Sequence, residues 1–170
     1  MLETLPLPHP FESRAGSAVL RRATRDDADG LIALLADDPI SAARGDVASD
    51  DDRAAYASAL SEILADPSND LLVVQLGNAV VGTLQLTSIP GMTRRGSRRL
   101  LVEAVRVSSA LRSSGIGSAV MRWVADAAAP ALHAAMVQLT SDAARTEAHR
   151  FYERLGYTGS HVGFKLNVTG

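Results

Sequence analysis

The residues best placed to do chemistry lie between positions 103 and 118, in the run Glu-Ala-Val-Arg-Val-Ser-Ser-Ala-Leu-Arg-Ser-Ser-Gly-Ile-Gly-Ser. An apolar stretch leads through a short polar loop into a segment that opens at Gly115 with helical periodicity. The first backbone N–H groups of a helix have no partner within it and sit at the positive end of its dipole, so they form a cradle for phosphate or pyrophosphate. Gly115 and Gly117 would let such a group approach the backbone, and Arg112 would add a charged fork for its oxygens. Ser113, Ser114, Ile116 and Ser118 complete the turn. The chain has neither a GxxxxGK[ST] nor a GxGxxG pattern, so a P-loop and a dinucleotide fold fit worse. Taken alone, the RxxGxG hexapeptide also fits an ordinary helix start with a glycine-rich cap.

Glu103 interrupts the apolar run just before this turn. Strand periodicity would put it on the same face as Val105 and Val107. A carboxylate in a partly buried strand has a raised pKa and could take a proton from an amine; a salt bridge to a nearby arginine fits the position equally well.

The bulk composition narrows the setting. The chain has 170 residues, 46% hydrophobic and 21% charged, with a formal net charge of -2. That suits one sizeable core and lacks the basic surplus of a nucleic-acid binder. There is no cysteine, so disulfides, thiolate metal sites and a cysteine nucleophile are excluded, and a reducing cytoplasm fits. The four histidines form no HExxH pair, and no metal is expected. No apolar stretch is long enough to span a membrane, and the N-terminus does not read as a signal peptide.

Several elements must position these residues. Residues 1–17, rich in proline, read as a tail or an arm laid on the surface. Residues 18–23 alternate as a first strand, and Thr24 with Asp27 signals a helix start that continues through Leu31, Leu34 and Leu35 to Pro39. An acidic loop over residues 46–52 enters a second helix carrying Tyr56, Leu60, Ile63 and Leu64. Residues 71–76 and 80–86 read as a hairpin about Gly77-Asn78. A basic tip with Arg94, Arg95, Arg98 and Arg99 precedes a strand over residues 100–107, apolar enough for the middle of a sheet. The helix opened by Gly115 presents Ile116, Ala119, Val120, Trp123, Val124 and Ala127 on one face and is expected to close at Pro130. A strand over residues 136–140 follows. Ser141 or Asp142 would cap a helix running to Gly156, with Ala148, Phe151, Tyr152 and Leu155 on one side. Residues 163–168 read as a last strand. The order predicts an α/β or α+β fold with a central sheet over residues 18–170.

Two segments together resemble the GNAT superfamily of N-acetyltransferases. The first is Val105-Arg106-Val107 followed by Arg112 to Gly117, similar to the family's acetyl-CoA loop. The second is Ala148-His149-Arg150-Phe151-Tyr152-Glu153-Arg154-Leu155-Gly156-Tyr157, similar to its Ala-x-x-Phe-Tyr-Glu-x-x-Gly-Phe/Tyr segment. Ser113 departs from the usual glycine or basic residue. Arg145 stands where an asparagine is common, and could reach a cofactor phosphate instead. The resemblance implies a mixed, mostly antiparallel sheet with two splayed parallel strands and about four flanking helices. It implies acetyl-CoA as co-substrate, its arm held by the backbone of Val105 and Val107, and a primary amine attacking the thioester directly in a ternary complex. Tyr152 stands at the family's acid position, where it would protonate the departing thiolate; a core aromatic would occupy the same stripe. Glu103, or a water chain, would serve as base.

The acceptor is less legible. Asp37, Asp38, Asp46, Asp50, Asp51 and Asp52 could line an acidic rim for a cationic amine, or be solvated. The arginines at 94–99 could meet an anionic acceptor or be a solvated tip. The resemblance suggests a homodimer, with no independent interface signal, and no nucleic-acid or membrane partner is expected. A non-catalytic acyl-CoA-binding regulatory module on the same fold is the alternative; it would keep Arg112 to Gly117 without needing Tyr152.

Overall fold

A computed structural model describes residues 2–38, 42 and 49–168. Its centre is a six-stranded sheet in the order β1 (His9–Ser13), β2 (Gly16–Arg22), β3 (Asn69–Leu76), β4 (Ala79–Ile89), β5 (Arg98–Val107) and β6 (Ala134–Leu139). All neighbours are antiparallel except β5 and β6, which are parallel. Short hairpins join β1 to β2 and β3 to β4, the latter through Gly77 at φ +59 as the Gly-Asn pair predicts. The longer helices among the described residues are α1 (Ala28–Ala36), α2 (Arg53–Ala65), α3 (Ile116–Trp123) and α4 (Thr146–Arg154).

The sheet is covered on both faces, and β3 shows how. Leu72 and Val74 face a large core with Leu20, Leu84, Leu86, Leu100 and Val102, closed by Ile116, Val120, Met121 and Trp123 of α3. Leu71 and Val73 point the other way, into a smaller core with Leu31 of α1 and Leu60 of α2. Period-two alternation therefore feeds two cores from one strand. The start of α1 matches the Thr24–Asp27 signal: Asp27 accepts a bond from the Thr24 amide at 2.7 Å, and both its oxygens are held by Arg21 at 2.8 and 2.7 Å.

Four expectations need correction. Residues 1–17 carry structure beyond a tail: Leu2 and Leu5 are buried in the main core, and β1 pairs with β2. Leu2 and Leu5, ahead of the first proline, supply apolar side chains that the core can bury, and Pro10 sits within β1 opposite Val19, where the outer strand of a sheet tolerates a missing N–H. The helix after Gly115 ends at Ala131, beside Pro130 as expected, but is not regular throughout. It widens into a π-helical segment over Val124–Ala128 and resumes over Ala129–Ala131. Proline lacks an N–H and its ring crowds the carbonyl four residues back, and a wide turn relieves both. The extra residue shifts the buried stripe from Ala127 to Ala128 and Ala129. Neither Ser141 nor Asp142 caps α4: Asp142 Oδ1 takes the Ala144 amide at 2.9 Å in a preceding turn, and Arg145 is the N-cap. Residues 163–168 form no strand and are exposed. Pro39 and Asp46 lie outside the described residues.

Candidate active site

β5 changes character partway along. Its parallel pairing with β6 runs from Arg98 opposite Ala134 to Val102 opposite Leu139 and stops there, while β5 continues to Val107. On the other side, Glu103 pairs with Gln85 and Arg106 with Thr83, so β5 holds one residue more than β4 across this interval. The bulge centres on Ala104 at φ +50, a left-handed conformation that is uncommon for a residue with a Cβ. Residues 103–107 thus keep one neighbour, and their other edge borders a gap.

The bulge overturns one expectation. Val105 and Val107 pack against the main core, as Leu100 and Val102 do, although their positions differ in parity. Glu103 therefore faces the opposite way from Val105 and Val107, and its side chain is exposed rather than partly buried.

Beyond β5, the 3-10 turn Ser109–Leu111 leads to Arg112 in extended conformation, then Ser113 at φ +63 and Gly115 at φ +93, which caps α3. Gly115 meets this geometry without a Cβ penalty, and a Cβ there would enter open space. At Gly117 a Cβ would lie 3.4 Å from Phe151 Cζ, so the glycine lets α4 pack against the turn. Two carbonyls of the turn are held from behind. The Arg14 amide donates to Ser114 O at 2.9 Å, and Arg14 Nη1 donates to Ser113 O at 3.2 Å. The amides of Ile116, Gly117 and Ser118 lack intrahelical partners. Ser114 Oγ is buried with no hydrogen-bond partner among the described residues. An orphaned hydroxyl beside free amides, with the exposed guanidinium of Arg112 at the rim, fits a phosphate group.

Tyr152 of α4 packs against the main core, with the charge of Arg106 from the second half of β5 acting on it. It packs edge-on against Phe151 at 5.1 Å and Tyr157 at 5.8 Å between ring centroids. Burial raises its pKa above the ordinary tyrosine value, and the nearby charges of Arg106 and Arg145 partly offset the rise. Tyr157, whose hydroxyl is buried without a partner among the described residues, is pushed up to about 12 by burial and by Tyr152.

The two arginines converge on Asp38, which is buried just past the end of α1. Arg145 binds both Asp38 oxygens, one at 2.8 Å, and Arg106 Nη2 lies 3.8 Å from Oδ2. Arg106 also donates to Val105 O at 2.9 Å. The neighbouring Asp37 accepts from the amide and hydroxyl of Ser109 at 2.6 and 2.8 Å, and these bonds hold its carboxyl below the usual range. Arg145, read as a candidate phosphate contact, is committed to Asp38. Asp37 and Asp38 tie α1 to the turn and to α4 rather than forming an acidic rim, whereas Asp51 and Asp52 are exposed. The basic tip is divided: Arg94 reaches Met136 Sδ at 3.2 Å and Arg98 donates to Ser88 Oγ at 2.8 Å.

Sequence reasoning missed Arg14 and Ser109 as members of the site and read Asp38 only as one acid of a possible rim. Their partners lie 99, 72 and 107 residues away, so no local pattern marks them. Among the described residues no group of three or more His, Asp or Glu could hold a metal, and no helix is long and apolar enough to cross a membrane.

Residues 15–157 match the family model described as the acetyltransferase (GNAT) family. The aminoalkylphosphonate N-acetyltransferase of Salmonella typhimurium is 28% identical over 145 residues, covering 85% of this chain and 88% of that protein. A solved transcriptional regulator from Bacillus halodurans is 36% identical, with a TM-score of 0.80 over 89% of this chain and 99% of that one. Glucosamine-6-phosphate N-acetyltransferase from Arabidopsis thaliana, at 17% identity, shares the fold with a TM-score of 0.71 over 89% and 99% of the two chains.

Proposed function

Because the chain belongs to the GNAT family of acetyltransferases, we propose that it moves the acetyl group of acetyl-CoA to the primary amine of a small acceptor, by direct attack with both substrates bound. Acetyl-CoA supplies an activated acyl thioester. The observation that carries this reading is the gap where β5 outruns β6, which leads into the phosphate turn, with the charge of Arg106 on the same half-strand acting on Tyr152.

The amides of residues 115–118, with Arg112, Ser113 and Ser114, hold the pyrophosphate. The backbone of Val105 and Val107 on the open edge of β5 holds the pantetheine arm and orients the thioester carbonyl. Tyr152 gives a proton to the departing sulfur. A tyrosine raised above its ordinary value of about 10 keeps its proton at neutral pH and is therefore available as the acid; passing it to a thiolate whose thiol titrates at about 8.5 is uphill by the pKa difference, and solvent then reprotonates the phenolate. Asp38 fixes Arg145 and Arg106 beside that hydroxyl and balances their charge, which keeps the tyrosine protonated. Arg145 acts here as a positioning residue.

An alkylamine with a pKa of about 10 must lose a proton before it attacks. Glu103, exposed at the bulge, takes that proton directly or through water. Aminoalkylphosphonates come first among acceptors to test, in keeping with the name of the Salmonella relative.

Thiol release from acetyl-CoA, measured against a panel of amines, tests this reading. Turnover should appear with one amine class, and Tyr152→Phe should lower kcat by about 10²–10³-fold while acetyl-CoA binding persists. Full turnover in the variant removes the acid role. The Bacillus structure, described as a transcriptional regulator, favours the second reading of a non-catalytic acyl-CoA-binding module. Binding without turnover across the panel supports that reading, and absence of binding overturns both.

A further inference from the structure

Part of one sheet face lies outside both cores. Helices α1 and α2 pack on that face over β3 and the start of β4, through Leu71, Val73 and Val80. Leu100 and Val102 of β5, and Val137 and Leu139 of β6, point into the main core, so Leu101 and Met136 point the other way. Leu101 and Met136 belong to neither core. Along β5, Arg99, Leu101 and Glu103 therefore stand in line on this face, ahead of the bulge at Ala104. Arg99 and Glu103 are exposed and Leu101 is half-buried. Among the described residues, no hydrogen bond or ion pair engages the side chain of Arg99 or Glu103.

The two ends of this line differ in charge. Glu103 adjoins the half of β5 whose edge borders the gap. At the other end Arg94 joins Arg99. Arg94 and Arg95 are left-handed, at φ +53 and +62, a conformation uncommon in residues with a Cβ and concentrated at functional sites. Arg94 Nη1 lies 3.2 Å from Met136 Sδ, and Met136 pairs with Arg99 on the same face. A thioether is a weak acceptor, so that guanidinium keeps most of its donors for other partners. Between the charged ends the floor is apolar. Gln85 and Thr87, opposite Glu103 and Leu101 on β4, donate to Asn69 Oδ1 at 2.8 and 2.7 Å, and so turn toward β3 and away from Leu101. Glu103 and Arg99 are about 13 Å apart along the strand, and a charge-assisted contact of about 3 Å at each end leaves about 7 Å between an amine and an anion seated there. An extended chain of about three or four carbons between nitrogen and phosphorus fills that span, and a two-carbon chain falls short of it.

We propose that this line seats the acceptor, and that the acceptor carries a phosphonate-type anion about 7 Å from its reacting amine. Arg99 and Arg94 bind the anion, which two guanidinium forks suit. Leu101 supports the chain between the charges. The amine lies at Glu103, beside the open edge of β5. Arg99 is thereby a determinant of acceptor specificity, and the line selects for length as well as for charge. The inference rests on the acetyltransferase reading for the fate of the amine, and adds to it the residues that choose the acceptor.

Thiol release from acetyl-CoA is measured with a series of ω-aminoalkylphosphonates and with the plain alkylamines of matching length. kcat/KM should peak at about three or four carbons and there exceed that of the plain alkylamine by about tenfold or more. Arg99→Gln combined with Arg94→Gln should cut this preference about tenfold, with the loss in KM. Both arginines are exposed, so the variants should melt as the parent does. Arg99→Glu should turn the preference toward diamines of the same length. Calorimetry with 4-aminobutylphosphonate in the presence of coenzyme A reads the same contact without chemistry. Binding that weakens about tenfold in the double variant supports the seat even where no amine is turned over, an outcome that would sink the acetyltransferase reading alone. Equal kcat/KM for phosphonates and plain alkylamines overturns the proposal. So does a series that peaks at two carbons or fewer, a preference that survives the double variant, or absence of phosphonate binding.

Discussion

Residues 99–102 of β5 pair with β4 on one side and with β6 on the other, whereas of residues 103–107 the paired ones pair only with β4. The two halves differ little in apolar character. Leu100 and Val102 of the first half are buried, while Val105, Arg106 and Val107 of the second are partly exposed at the gap. The Ala104 bulge, which re-aims every side chain after it, and the early end of β6 separate them. The first half is scaffold. The second presents unclaimed backbone groups to a ligand and connects to the turn, to Arg106 and, through Asp38, to α4. A strand can therefore be structural and functional in succession, with the boundary set by what its neighbours stop doing.

Substitutions can break or sharpen this contrast. The largest stability effect is expected on the functional side. Asp38→Asn removes the charge that pairs Arg145 and Arg106, and breaking so buried a pair should cost about 3 kcal/mol in urea unfolding. The freed guanidiniums would then act on Tyr152. Positive charge stabilises the phenolate, so the tyrosine pKa should fall, and the alkaline limb of the kcat profile should move to lower pH. A loss of stability with an unmoved limb would make Asp38 scaffold only.

Gly115→Ala comes next. A Cβ at φ +93 costs about 1–2 kcal/mol, which the turn can relieve by relaxing out of its ligand-ready shape. Acetyl-CoA binding would then have to restore that shape, so calorimetry should find affinity about tenfold weaker. Unchanged affinity would detach the turn from the cofactor.

On the scaffold side, Asp27→Asn should cost about 1–2 kcal/mol at neutral pH and leave kcat alone. The bonds from Arg21 are the largest cause holding the Asp27 pKa below its ordinary value. Its stabilisation is therefore present above the unfolded carboxylate pKa, about 4, and disappears as pH falls through the lower folded value. Chemical denaturation across this range should show the gap between the two proteins closing in acid; a gap that persists at the acid end would give Asp27 a role independent of its charge.

The smallest effect expected is a few-fold loss for Glu103→Gln, concentrated at low pH. An identical pH–rate profile removes Glu103 from the reaction.

What could be read from the sequence was local. The strand, turn and helix around Arg112–Gly117 and the stripe that carries Tyr152 each depend on residues within a dozen positions, and all of these elements formed. The bulge was illegible because it falls on an alanine, with no glycine to mark a left-handed residue, so period-two reasoning placed Glu103 on the wrong face. The π-helical segment ahead of Pro130 was illegible because the rule that proline ends a helix omits the alternative of widening it. Residues 163–168 have the alternation of a strand, but alternation specifies a face and does not supply a neighbour. Asp38 read as one acid among several in a row, since its partner Arg145 lies 107 positions on.

The clasp that Arg14 places on the carbonyls of Ser113 and Ser114 makes the cradle a property of the chain's first hairpin as much as of its own residues. An excised peptide spanning β5 and α3 would retain every glycine and arginine of the motif, yet nothing would keep its carbonyls turned away from an incoming anion. Ligand affinity in this protein is thus a remote gauge of whether the β1–β2 hairpin has docked, and lesions at Arg14 should register as lost affinity before they register as lost fold.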